Sequence, residues 1–257
     1  MASTPLLPHD LRRWLYSKLH RSSFRRMQKK RTVEDRDYSL KPFDDTKTIF
    51  IHIPKTAGIS ISTSLYSCIA AGHKGMSHYQ YVFSKKDFDN YFKFTFVRNP
   101  WDRLFSAYTY LKKGGRARED RIFSSEHLSH IDSFEQFVME WLTEKNIQKG
   151  IHFIPQTDML FLPGTSIIPV DFLGFFENIE EDFQFVAKKM NKTVAMQHLN
   201  ASSSKHAEYK NHYTQAMINI AATVYQADID ALGYSFDNST LDKQLAMRSE
   251  GLLTKPA

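Results

Sequence analysis

The chain has 257 residues, 42% of them hydrophobic and 14% aromatic, with a formal net charge of +6. That length buries a full core, and one main domain with appendages is the expectation. No apolar run approaches a membrane span and no signal-peptide core stands at the N-terminus; the single cysteine, Cys68, excludes an internal disulfide or a multi-cysteine metal site, so a reducing cytoplasm is the default setting.

The charge is unevenly placed. Residues 1–33 carry nine Lys or Arg against one acid, Asp10, so the rest of the chain is weakly acidic. Within this arm, residues 9–31 suit a basic amphipathic helix, with Leu11, Trp14, Leu15 and Leu19 sharing a face. Such a helix fits an anionic membrane surface, a nucleic acid backbone or docking on its own domain. The arm and a polar connector occupy 1–46, the main domain 47–236, and 237–257 reads as a flexible tail.

The first buried strand is the β-branched run Ile49-Phe50-Ile51 with Ile53, ended by Pro54. Lys55-Thr56-Ala57-Gly58 follows, and then Ile61, Leu65, Tyr66 and Ile69 recur at helical spacing, closed by a glycine cap at Gly72. The N-terminus of such a helix favours an anion, because its first amides lack partners and the dipole is positive there. Gly58 and Ala57 permit close approach of a ligand, Thr56 and Ser60 offer hydroxyls, and Lys55 adds a charge. Residues 73–91, with His73 and His78, read as a loop.

Tyr91–Val97 is a second buried strand, which makes a parallel strand–helix–strand unit. Where it stops, Arg98-Asn99-Pro100-Trp101-Asp102 opens a helix: Asn99 suits the N-cap, Pro100 the first position and Asp102 the first turn. Arg98 thus stands at a strand's C-terminal end, where open α/β sheets bind ligands, with Ser106 two turns further on. An ion pair for Arg98 and back-bonding for Ser106 are the structural alternatives. Gly114-Gly115 ends that helix.

Arg116–Ser129 reads as a charged, irregular loop or lid. A helix is predicted over Ser133–Asn146, a turn at His152–Gln156, a strand in Pro169–Phe176 and a helix capped by Asn178. A polar loop follows at His198–Lys205. One long last helix through Met217, Val224 and Leu232 ends at Gly233.

Two anion-binding corners on successive strands imply a ligand with two separated phosphate-like groups. PKTAGIS after one strand and FVRNPWDRLFSAY after the next resemble the 5′-phosphosulfate and 3′-phosphate motifs of carbohydrate sulfotransferases that use 3′-phosphoadenosine 5′-phosphosulfate (PAPS). The resemblance is to the family-2 type, related to heparan 2-O- and HNK-1-like enzymes, as a bacterial-type member. It extends through IPQ at 154–156, VDFLGFFENIEEDF, HLNAS and ADIDALGY, covering roughly 47–236. It implies an α/β fold, a P-loop-like three-layer sandwich with a central, mainly parallel sheet flanked by helices.

The resemblance also implies roles. Lys55 would contact the bridging and 5′-phosphosulfate oxygens and stabilise the leaving group. Thr56, Ala57, Gly58, Ile59 and Ser60 would wrap the 5′-phosphate, and Arg98 and Ser106 would hold the 3′-phosphate. A histidine base would activate the acceptor hydroxyl, His78 first and His73 second, with His52 packing in its strand. Gln156, Asn200 and Lys205 are further candidates for contact with donor or acceptor. PAP would be the product, no metal is expected, the acceptor would be a carbohydrate or glycoconjugate, and no nucleic acid partner is expected. The rival readings are a metal-dependent nucleotide kinase or phosphotransferase on a related fold, and a non-catalytic adaptor that works through the basic arm.

Overall fold

The computed structural model describes residues 7–33, 37–197 and 208–254. The basic arm forms two helices, α1 (His9–Leu19) and α2 (Arg21–Lys30), because His20 leaves helical geometry with φ −123° and ψ 49°. After α3 (Lys41–Thr46), the left-handed Lys47 turns the chain into strand β1 (Thr48–Ile51), every residue of which is buried. Helix α4 (Gly58–Tyr66) then stops short of the expected Gly72. Ser67 adopts φ 61° there, and Ser62 Oγ binds both the Cys68 carbonyl and the Ala70 amide, which draws the chain off the helix axis.

The segment 73–91, read as a loop, is largely helical: α5 (Met76–Val82) and α6 (Lys85–Asn90) lead into β2 (Phe92–Val97). Buried Met76, Tyr79 and Val82 give α5 its inward face, and Ser84 caps α6 by accepting the Asp87 amide. Next comes α7 (Pro100–Lys112), ended by Gly114 and Gly115 at positive φ.

The charged stretch after α7 also departs from the expected irregular loop. It forms α8 (Arg118–Phe123), continued by a π-helical turn over Ser124–Leu128. Asp120 is the organiser: its Oδ2 accepts the Arg116 and Ala117 amides and the Tyr110 hydroxyl, and its Oδ1 meets His152 Nε2 at 3.0 Å. Burial raises that carboxyl's pKa, but the hydrogen bonds outweigh it and hold it well below the usual range.

The helix predicted over 133–146 begins as expected, with Ser133 Oγ accepting the Gln136 amide to open α9 (Phe134–Gln136). It continues as a π turn through Trp141 and breaks at Leu142, and Thr143 caps a separate α10 (Glu144–Ile147). Then come α11 (Gln156–Leu160), β3 (Phe172–Phe175), α12 (Ile179–Lys189), α13 (Gln215–Val224), α14 (Gln226–Leu232) and α15 (Leu241–Ser249). Asn178 precedes α12, but its amide donates to Asp182 instead of capping through its oxygen.

The single long last helix is two helices, broken at Tyr225, whose buried hydroxyl donates to the Phe153 carbonyl at 2.7 Å. Gly233 ends α14 at φ 74°, as expected. The flexible tail is corrected outright by α15. Its Gln244 donates to the Leu232 carbonyl, and its Arg248 binds the buried Asp182 carboxylate at 2.8 Å. The loop His198–Lys205, with Asn200 and Lys205, lies outside the described residues.

The chain divides into two compact units. The first comprises Met1–Val97, Gln156–Asn200 and Arg248–Ala257 and holds the sheet. Its strand order is β1-β2-β3, with both pairs parallel: Ile51 faces Thr95, and Val97 faces Phe175. The strands are apolar and almost wholly buried, as expected of a parallel sheet covered on both faces by helices. The second unit comprises Arg98–Pro155 and Ala201–Met247 and is helical in its described residues. Its core is aromatic, built from Phe134, Phe137, Trp141 and Phe153 in mutual ring contact.

Candidate active site

The first unit supplies the lysine loop. From the last two residues of β1 onward, the carbonyls of four consecutive residues each meet a side chain. Phe50 accepts from Tyr79 Oη at 3.2 Å, Ile51 from Thr95 Oγ1 at 2.9 Å and Ile53 from Thr56 Oγ1 at 2.9 Å; His52 lies 3.2 Å from His73 Nδ1. These bonds fix the strand exit before the loop begins. Lys55 and Ala57 then adopt φ 70° and 61°, and Thr56 between them does not. Two left-handed residues so close together cost of order 1–3 kcal/mol each when neither is glycine. Such alternation is the backbone pattern of loops whose amides converge on an anion, and it stands here at the start of α4.

Two expectations about this loop change. Thr56 is fully buried and its hydroxyl proton goes to Ile53, so that hydroxyl is engaged within the loop. Gly58 was expected to let a ligand approach, but its own neighbour demands it: a Cβ there would lie 1.9 Å from His52 Cδ2. His52 is 3% exposed, packs as expected, and carries His73 against its ring at a centroid distance of 4.3 Å. Lys55, Ala57 and Ile59 are half-buried, whereas Gly58 and Ser60 are buried.

His78 lies on α5, one residue before the Tyr79 that anchors this helix to β1. Burial, then the charges of Lys74 and Lys30, push its pKa down to about 4, so its ring is neutral at physiological pH and a weaker base than an ordinary histidine. His73 precedes α5, and its hydrogen bond to the His52 carbonyl favours the tautomer with the proton on Nδ1. Gln156 opens α11 and is fully buried.

The second unit supplies the arginine corner. Arg98 follows directly on Val97 and is 6% exposed. Asp102 grips it with two bonds of 2.8 Å, Oδ2 to Nε and Oδ1 to Nη2, which fixes the plane of the guanidinium. The structural ion pair considered for Arg98 is therefore present, and Asp102 is the partner that orients it. Asn99 caps α7 by accepting the Trp101 and Asp102 amides, and its own amide donates to the Ser235 carbonyl and Asn238 Oδ1. Ser106, half-buried, lies one turn beyond Asp102, so Arg98, Asp102 and Ser106 follow one another at i, i+4 and i+8.

Among the described residues no group of three or more His, Cys, Asp or Glu is arranged to hold a metal ion, and no helix is long and apolar enough to cross a membrane.

Comparison with known proteins places the chain in a family. An uncharacterized protein of Archaeoglobus fulgidus is 36% identical over 107 residues, 41% of this chain and 72% of that protein. No solved structure matches. The model of the sulfotransferase family designated Sulfotransfer_2 matches residues 40–235, spanning both the lysine loop and the arginine corner. This chain belongs to the sulfotransferase family.

Proposed function

We propose that the sulfuryl donor is PAPS and the acceptor a hydroxyl of a carbohydrate or glycoconjugate. The observation that carries this reading is that two anion-binding motifs each follow the C-terminal end of a parallel strand, and those strands, β1 and β2, are direct neighbours. The Lys55–Ser60 loop holds the 5′-phosphosulfate through amides and the Lys55 ammonium, while the Arg98 guanidinium and the Ser106 hydroxyl hold the 3′-phosphate.

In the reaction the acceptor oxygen attacks sulfur in line. The S–O bond to the 5′-phosphate breaks, and the developing negative charge on the departing phosphate oxygen is met by Lys55. The acceptor's proton passes to a histidine, His78 in the first reading, whose ring is neutral. A second reading gives the proton to His73, because its hydrogen bond to the His52 carbonyl favours Nε2 as the basic nitrogen. The sulfotransferase reading places no metal in the reaction, whereas a phosphotransferase would require one.

The test is calorimetry with PAP and with ATP, with and without EDTA, alongside turnover of labelled PAPS over a panel of sugars, glycolipids and small alcohols. Tight PAP binding that ignores EDTA and sulfation of a sugar hydroxyl are the expected results. Metal-dependent ATP binding with weak PAP binding overturns the donor assignment, and sulfation confined to simple alcohols overturns the acceptor class.

A further inference from the structure

The N-terminal arm is mounted the wrong way round for a helix that serves only its own core. Helix α1 turns its polar side inward. His9 Nε2 lies 3.2 Å from the Phe83 carbonyl, Arg13 Nη2 reaches the Val82 carbonyl at 3.5 Å, and Tyr16 stacks on Tyr81 with ring centroids 4.4 Å apart. The opposite side faces solvent and is apolar apart from Lys18: Leu7 is 48% exposed, Leu11 41% and Trp14 55%. Leu7, Leu11, Trp14 and Lys18 recur at spacings of four, three and four, the signature of one helical face. An amphipathic helix folded for its own core would bury that face.

Helix α2 completes the surface with charge. Only Met27 among its residues is buried, while Arg21, Arg25, Arg26, Lys29 and Lys30 are exposed and α2 contains no acid. Both helices pack on α5, so each exposes the side turned away from it. The attachment is firm: Gln28 donates to the Val82 carbonyl at 2.8 Å, and Arg31 is held to Asp44 by two bonds of 2.6 and 2.7 Å. The arm is therefore a fixed part of the first unit.

We propose that this arm is a docking surface for an anionic lipid bilayer, with the Leu7–Leu11–Trp14 face inserted at the headgroup level and Lys18 and the basic residues of α2 on the lipid phosphates. A nucleic acid would pair with the arginines but leaves a solvent-facing leucine and tryptophan stripe without use, whereas a bilayer interface takes both.

The experiment uses the full chain with vesicles of phosphatidylcholine alone or with about one-third phosphatidylglycerol. Trp14 is the exposed tryptophan, whereas Trp101 and Trp141 are 4% and 6% exposed, so its fluorescence reports insertion. Expected are a blue shift and co-sedimentation with the anionic vesicles only. The partition should fall at least about tenfold in Leu11→Ser/Trp14→Ser and similarly in Arg21→Glu/Arg25→Glu. Far-UV circular dichroism and PAP affinity should be unchanged in both variants, since neither touches a buried group. Equal binding to neutral vesicles, no binding, or a stronger preference for duplex DNA or RNA overturns the proposal. So does a lipid-independent dimer that Leu11→Ser/Trp14→Ser dissolves.

Discussion

The two loops that leave β1 and β2 solve one problem in opposite ways. At the lysine loop the residue before the helix is Ala57, which has no side chain to cap it, and the chain accepts two left-handed residues to reach α4. At the arginine corner the helix is capped by Asn99, Pro100 occupies the first turn, and Asp102 closes on Arg98. A self-capped helix has spent the amides that an anion would need; an uncapped one keeps them for a ligand. On the proposed reading, one corner would work through its backbone and the other through a side chain held by its neighbours. Backbone donors suit the end where charge develops during transfer, because they cost no reorganisation. A planar guanidinium suits the end that only identifies the donor.

That contrast can be broken in several places. Lys55→Ala should have the largest effect, lowering turnover by about 10²–10³-fold, because it removes the cation proposed to meet the leaving group; single-turnover sulfation of a model acceptor measures it. Next comes Gly58→Ala, expected to cost about 1–3 kcal/mol in urea unfolding because its Cβ collides with His52. His52→Ala made alongside should recover part of that loss, and simple additivity would show that the collision is not the cause.

Arg98→Ala should weaken PAP binding by about ten- to a hundredfold, as expected when a charged hydrogen bond is lost. The penalty should vanish for adenosine 5′-phosphosulfate, which lacks the 3′-phosphate; an equal loss for both ligands would remove Arg98 from that role.

The pH dependence tests the base. His78 is held down to about 4 from its ordinary 6.5, mainly by burial. With His78 as base, the acid limb of kcat/KM lies near pH 4, whereas a limb near 6.5 points elsewhere. The same depression makes a stability statement. Below pH 6.5 the unfolded chain binds a proton that the folded chain refuses until about 4, so stability falls as pH drops through that window. His78→Phe should flatten that part of the acid-denaturation curve.

Smallest is Asn99→Ala, which should cost about 1 kcal/mol or somewhat more through loss of the cap and leave PAP affinity unchanged.

The parts legible in the sequence were those set by neighbours in the chain. The strands at Thr48 and Phe92 follow from β-branched and aromatic runs, and the opening of α7 from Asn99, Pro100 and Asp102 in succession. The parts that escaped are set by residues far away. The chain leaves α4 at Ser67 and not Gly72 because the Ile69 backbone pairs with Asp37 and Ser62 holds Cys68 and Ala70. Asp120 turns a charged loop into a helix through His152, 32 positions on, and Tyr225 breaks the last helix by reaching Phe153. At the candidate site, the lysine and arginine were visible as types. The carbonyl anchors Tyr79, Thr95 and His73 were not, since nothing local says which strand-exit carbonyl a distant side chain will meet.

Arg31 and Arg248 both lie outside the 40–235 span that the family model matches, yet each neutralises a carboxylate inside it, Asp44 and Asp182. Asp182 is 2% exposed and also accepts the Phe175 amide at the end of β3. A fragment trimmed to the family's limits would lose both counter-ions at once and leave the buried Asp182 without its arginine.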